Sequence, residues 1–278
     1  AAAGRAPEGS RRESLIHIVL DRIEDEAALQ ALREGLVRVY ADVRVAVEDW
    51  AAMRARVSET VQSYRSDPPP LAEDEIAEAI RFLEWIAADN FALLGVRAYR
   101  LPDGDAAADP VAGTGLGILR NPAVKVLRRG RELVSMSPEV RAFLARPQAL
   151  IITKANVKSR VHRRVHLDYI GVKLFTPDGR LEGELRIVGL MTSNAYTGST
   201  RDIPYLRHKI AQVTKQAGFD SVSYSGRALM NVLDSYPRDE LFQLDVATLA
   251  RFASAILQLT ERPRIRALAR VDEFDRFV

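Results

Sequence analysis

Cysteine is absent from the 278 residues, so neither a disulfide framework nor a thiolate metal site can form. Long apolar stretches are also missing. Runs such as Leu150-Ile151-Ile152 fall far below the roughly 20 residues needed to cross a bilayer. The opening Ala1-Ala2-Ala3-Gly4-Arg5 is followed by no apolar secretory core. Nor does charge of one sign dominate: 40 Lys and Arg face 37 Asp and Glu, for a net charge of +3. The pI of about 9.2 therefore says little about partners. These absences point to a soluble cytoplasmic protein with no membrane partner.

What is present suffices for a folded body. Hydrophobic residues make up 47% and charged residues 28%, enough for one large domain or two smaller ones. The charge is unevenly placed. About a dozen Lys and Arg lie between Arg120 and Arg164, against Glu132 and Glu139.

Glu13 to Ile23 reads as a strand, because Ile16, Ile18 and Leu20 alternate. Asp25 can cap a following helix. Leu29, Leu32, Leu36, Val39, Val43 and Ala46 recur at helical spacing, and Trp50, Met53 and Val57 continue the register. Taken as one helix this is an arm of about 40 residues, some ~60 Å long; the alternative is a break at Asp49, which would cap the second part. Ser66-Asp67-Pro68-Pro69-Pro70 ends it and forms the clearest linker.

A second helix is expected over 73–88, an extended segment over 91–101, and a loop over 102–117, rich in Gly, Ala, Asp and Pro. Ser137-Pro138 starts a helix that stops before Pro147. Strands follow at 149–157, 163–175 and 180–191, the last two joined by the turn Thr176-Pro177-Asp178-Gly179. Helices at 203–217, 226–235 and 246–260 complete the pattern, with Asp245 capping the last. Residues 264–271 look extended again. The chain reaches Phe277-Val278 without a stop signal, which reads as a cut through a longer protein. The fold class is α+β: an antiparallel sheet of about five strands flanked by helices and preceded by a long helical arm.

Most motifs that invite chemistry fail on context. Gly113-Thr114-Gly115-Leu116-Gly117 resembles a dinucleotide loop, but that loop must follow a strand and open a helix. Here Asp109-Pro110 precedes it and Asn121-Pro122 blocks a helix. Tyr205 and Lys209 fit a Tyr-x-x-x-Lys proton-transfer pair, yet no cofactor-binding βαβ unit precedes them. His162 and His166 on one strand would sit roughly 13 Å apart, too far to share a zinc held at about 2.1 Å by each. No Gly-Lys-Ser/Thr phosphate loop occurs.

The basic stretch around Lys154, Lys158, Arg160, Arg163 and Arg164 has the best claim to function, as an anion site or a contact with an acidic surface. The competing reading is a solvated strand edge protected by Lys and Arg. Nucleic acid is the less favoured partner, since no exposed aromatic platform accompanies the charges.

Six segments taken together carry a resemblance. RESLIHIVLDRI, AVEDWAAMRAR, FLEWIAADNFALLGVRAYRL, TKANVKSRVHRRVHLDYIGVKLF, TSNAYTGSTRDIPYLRHKI and YPRDELFQLD with ILQLTERPRIRALAR resemble the N-terminal half of the large bacterial NAD-dependent glutamate dehydrogenases. The match departs at Ala51, where the family pattern calls for proline. The resemblance implies a homo-oligomeric enzyme that deaminates L-glutamate to 2-oxoglutarate and ammonia with NAD, in domains downstream of these residues. It implies no catalytic, cofactor-binding or metal residue here and no cofactor in this segment.

On the family's plan, residues 1–66 look like the last strand and helices of an ACT-like module. Residues 71–262 look like a PAS-like module with helical additions, and 263–278 like the start of a further ACT-like module. Two roles follow: a regulatory and oligomerisation segment, or a small-ligand sensor for an amino acid or acidic metabolite. The sensor's candidate contacts are Lys154, Arg160, His162, Tyr169 and Arg186, in a pocket between sheet and helices.

Overall fold

The computed structural model describes residues 15–101, 108–124, 126, 128–129, 132–133, 148–220 and 222–261. The helix expected from Ser137, the extended segment from Arg264 and the module expected at 263–278 lie outside these residues. The chain divides after Arg38 into two compact units.

In the first unit, residues 15–25 form neither strand nor helix, and Ile16, Ile18 and Leu20 are exposed. Alternation alone does not make a strand, because its amides and carbonyls need a neighbour to pair with. Among the described residues none pairs with this segment. Asp25 does cap the first helix, α1 (Glu26–Glu48), accepting from the Ala27 amide at 3.0 Å.

The helical register breaks at Asp49, and α2 (Trp50–Ser66) follows. The Asp49 carboxylate does not cap α2. It reaches instead to the Gly117 amide at 2.7 Å and the Arg120 Nε at 2.6 Å. α2 turns Met53, Val57, Val61 and Tyr64 inward at three- and four-residue steps, and Tyr64 donates its hydroxyl to the Lys173 carbonyl at 2.7 Å. The proline linker separates it from α3 (Glu73–Trp85), which buries Ile76, Ala79, Phe82 and Leu83. A wide turn (Ile86–Asn90) with Asp89 at φ 61° then reverses the chain into the sheet.

The sheet is antiparallel throughout. Its long strands are β1 (Phe91–Arg100), β6 (Leu150–Lys158), β7 (His166–Phe175) and β8 (Leu181–Met191), ordered β1-β8-β7-β6; short strands β2 (Asp109–Pro110) and β3 (Leu116–Gly117) pair with β1. A further pair, β4 (Arg128–Arg129) and β5 (Glu132–Leu133), stands apart. The Thr176–Gly179 turn closes the β7–β8 hairpin, with the Gly179 amide donating to Thr176 O at 2.8 Å. The strand expected from Arg163 begins later, at His166. Residues 159–165 form a loop, because Ser159 bonds both the amide and the carbonyl of Val161 and its own amide donates to Val165 O.

α2 and α3 cover one face, packing on Val96, Ala98, Leu150, Ile170, Val172, Leu185 and Ile187. A bulge between Leu93 and Gly95 switches the inward parity of β1, from Phe91 and Leu93 before it to Val96 and Ala98 after it. The chain then passes through the short helix α4 (Ser193–Thr197) into α5 (Leu206–Gln216), α6 (Tyr224–Ser235), α7 (Arg238–Gln243) and α8 (Val246–Glu261). These helices enclose a core of their own, built on Ile203, Leu206, Ile210, Val213, Leu229, Leu233, Leu241 and Leu249. Among the described residues no helix is long and apolar enough to cross a membrane.

Helix α3 joins the two cores. Phe82 stacks with Trp85 and meets Tyr205 and Phe242 edge-on. Beside this aromatic contact lies Glu78, only 5% exposed. Its carboxylate accepts from the Tyr205 amide at 2.9 Å, from Arg81 at 2.8 Å and from Arg207. Glu75 adds bonds to the Tyr205 hydroxyl and the Ala149 amide, both at 2.7 Å.

Burial pushes the Glu78 carboxyl up, but the Tyr205 amide and the two guanidiniums outweigh it and hold it at about 2, against an ordinary 4.5. Because the folded value lies below the unfolded one, its stabilisation is complete above about 4.5 and fades as pH falls towards about 2. Glu78→Ala is expected to cost about 2 kcal/mol near neutral pH, since it leaves the Tyr205 amide and Arg207 without their acceptor. Urea unfolding of both proteins along a pH series checks this: the gap between them should narrow as pH drops, and a gap independent of pH would refute it.

Candidate functional site

The face of the sheet opposite α2 and α3 is mixed. One part is apolar, with Leu94, Leu119, Leu167, Val188 and Leu190. The other carries buried polar groups from three strands. In register, Arg97 of β1 stands opposite Arg186 of β8, and Tyr99 opposite Glu184. Directly paired antiparallel residues project to the same face, so this register places Arg97 and Arg186 as neighbours on one face.

Glu184 lies between its neighbours, accepting from the Tyr169 hydroxyl at 2.6 Å and from Arg186 Nε at 2.9 Å. The Arg186 guanidinium also stacks over the Tyr99 ring, 3.8 Å from its centroid. Burial, then the Glu184 charge, pushes the Tyr169 hydroxyl well above its ordinary pKa, so it stays protonated and donates. Burial opposes the charge on Arg186, but Tyr169 and Glu184 more than compensate and raise its pKa. Arg97 is 5% exposed and gives one hydrogen bond, from Nη2 to Arg120 O at 2.9 Å.

The five residues singled out from the sequence fall in three places. Tyr169 and Arg186 come together in this buried polar face. Lys154, directly across from Asp168, ion-pairs with it at 2.7 Å and with Asp239 of α7 at 3.1 Å. It thus ties the sheet to the helical layer. Arg160 sits in the exposed 159–165 loop, paired with Asp42 at 3.1 Å, and His162 is exposed there at φ 64°. The sequence reading missed Arg97, Glu184 and Tyr99. Their signal was present: charged residues two apart in LEGELRIVGLM and Arg97 in the middle of FALLGVRAYRL, at positions where an apolar strand has no need of them.

Both dehydrogenase-like patterns have internal partners. Gly117 lies at φ 59°, and a side chain there would run into the Leu94 carbonyl; its amide is held by Asp49. Tyr205 donates to Glu75. Lys209 donates to the carbonyls of Leu241, Phe242 and Leu244 at 2.7–3.0 Å, closing the end of α7. Among the described residues no cluster of three His, Asp or Glu could hold a metal ion.

Residues 203–262 match the family model described as glutamate dehydrogenase, helical motif 1. This stretch is the set of helices with its own core. Over 98% of its length the chain is 35% identical to the NAD-specific glutamate dehydrogenase of Halomonas elongata and 33% identical to that of Pseudomonas aeruginosa. It is 26% identical over 96% to that of Mycobacterium tuberculosis. The chain is homologous to one segment of the NAD-specific glutamate dehydrogenases. It spans 17% of the length of the first two relatives and 15% of the third.

Within this homologous segment the Tyr169–Glu184–Arg186 chain of bonds is structural support for the polar face. Glu184→Ala is expected to cost about 3 kcal/mol, leaving Arg186 buried without its carboxylate. Tyr169→Phe should cost about 1 kcal/mol for one lost hydrogen bond. Urea midpoints test the ranking, and an equal loss in the two variants would contradict it.

Proposed function

We propose that this chain is a non-catalytic regulatory and oligomerisation segment of an NAD-dependent glutamate dehydrogenase. Oxidative deamination of L-glutamate to 2-oxoglutarate and ammonia takes place in a downstream catalytic domain of the same cytoplasmic polypeptide, where NAD binds. In this reading residues 71–262 are a PAS-like module with helical additions, and residues 1–66 end an ACT-like module. Other subunits of a homo-oligomer are the expected partners.

One observation carries the reading. The two patterns that could serve a dehydrogenase, Gly113–Gly117 and Tyr205 with Lys209, have their key groups engaged by Asp49, Glu75 and the carbonyls at the end of α7. A dinucleotide needs free backbone amides at a helix start, and a proton-transfer tyrosine needs a nearby cation to lower its pKa. Tyr205 has the reverse setting: burial, then the Glu75 carboxylate, raises its pKa. Homology to so small a share of much longer enzymes supports housing the chemistry elsewhere.

The ligand-sensing version, for an amino acid or acidic metabolite, is favoured by the two buried arginines on the polar face of the sheet. The purified chain should reduce no NAD with L-glutamate, whereas a longer polypeptide extending through the relatives' full length should. Turnover by the chain at a rate comparable to the longer protein would overturn the proposal.

A further inference from the structure

Arg97 is the least satisfied charged group among the described residues. Its Nε and Nη1 are buried and have no hydrogen-bond partner, and its single bond goes to a neutral carbonyl. Leaving a buried charged donor unpaired is expensive, so a native structure that keeps one calls for an acceptor. Among the described residues no ion pair reaches Arg97, and its cross-strand neighbour Arg186 commits Nε to Glu184, with no hydrogen bond from either Nη. Glu184 is the one carboxylate bonded to either guanidinium among the described residues. Glu184 therefore answers Arg186, and among the described residues no carboxylate bonds to Arg97.

We propose that Arg97 and Arg186 form a binding site for the carboxylate group of a small metabolite. The geometry favours a planar carboxylate, because guanidinium forks match it in plane and by paired donors. Tyr99, stacked on Arg186, gives the site an apolar wall. The turn over the guanidinium is Gly115, where a Cβ would stand 2.5 Å from Arg97 Nη2. Only glycine lets the backbone lie this close. The inference deepens the ligand-sensing form of the regulatory reading and rests on it for its biological role.

The experiment is a thermal-shift titration of the chain with acetate, succinate, L-glutamate and 2-oxoglutarate, against chloride and inorganic phosphate at matched ionic strength. At least one carboxylate should raise the melting temperature, by roughly 5 °C or more at a hundredfold excess over its Kd. Arg97→Met should abolish the rise while leaving the unliganded melting temperature equal or higher, because it removes unpaired donors. Should that variant fail to fold, Arg97→Lys keeps the charge, loses the fork and should weaken binding about tenfold.

A flat response to every carboxylate, a rise retained in the Arg97 and Arg186→Met variants, or a larger response to phosphate would each overturn the proposal. Binding is read without NAD. A negative result therefore leaves the non-catalytic reading standing, and NAD reduction by the chain would sink that reading without touching the binding data.

Discussion

The Glu78 carboxylate is the joint on which the described body depends. It lies between a sheet core and a helical core, each of which closes its own apolar surface, and among the described residues no strand runs between them. Aromatic contact through Phe82 supplies area, but area is non-directional. Direction comes from the carboxylate, which fixes the Tyr205 amide and Arg207 at the start of α5 and so sets where the four-helix layer begins. Lys154, bridging Asp168 of the sheet and Asp239 of α7, fixes the same layer at a second point. Two such ties hold it against the sheet by charge-assisted bonds with defined geometry.

The same rule, that a buried polar group must find its partner inside the protein, decides which motifs are chemical. Tyr205 and Lys209 look like a catalytic pair on paper. In three dimensions each faces away from that task, one towards a carboxylate and the other towards helix-end carbonyls. The glycines at 113–117 permit close approach of backbone, but what approaches is Asp49 and Arg97. Among the described residues Arg97, with two buried donors unmet, departs furthest from the rule, and departures of this kind are where ligands are sought.

Much of the fold was legible in local chemistry. Asp25, the three prolines at 68–70, the Thr176–Gly179 turn and Asp245, whose carboxylate accepts from the Thr248 amide at 2.7 Å, each act as their sequence context suggests. What was not legible is long-range. That β1 pairs with β8, some ninety residues on, follows from no local signal, and it is this pairing that sets Arg97 beside Arg186. A break with Asp49 as cap was the alternative to one continuous helix; the break is there, but the Asp49 carboxylate takes a stronger pair of partners far along the chain, the Gly117 amide and Arg120. The alternation of Ile16, Ile18 and Leu20 describes a strand's side chains without supplying the neighbour that a strand needs.

The account's central claim is that the polar groups resembling dehydrogenase machinery are structural ties in this segment. The most direct measurement is amide hydrogen exchange of the chain with and without saturating NAD, read at residues 111–120 and 203–210. The account predicts identical protection in both conditions, with the Gly117 and Tyr205 amides already slow. NAD-dependent protection at Gly113–Gly117 would contradict it.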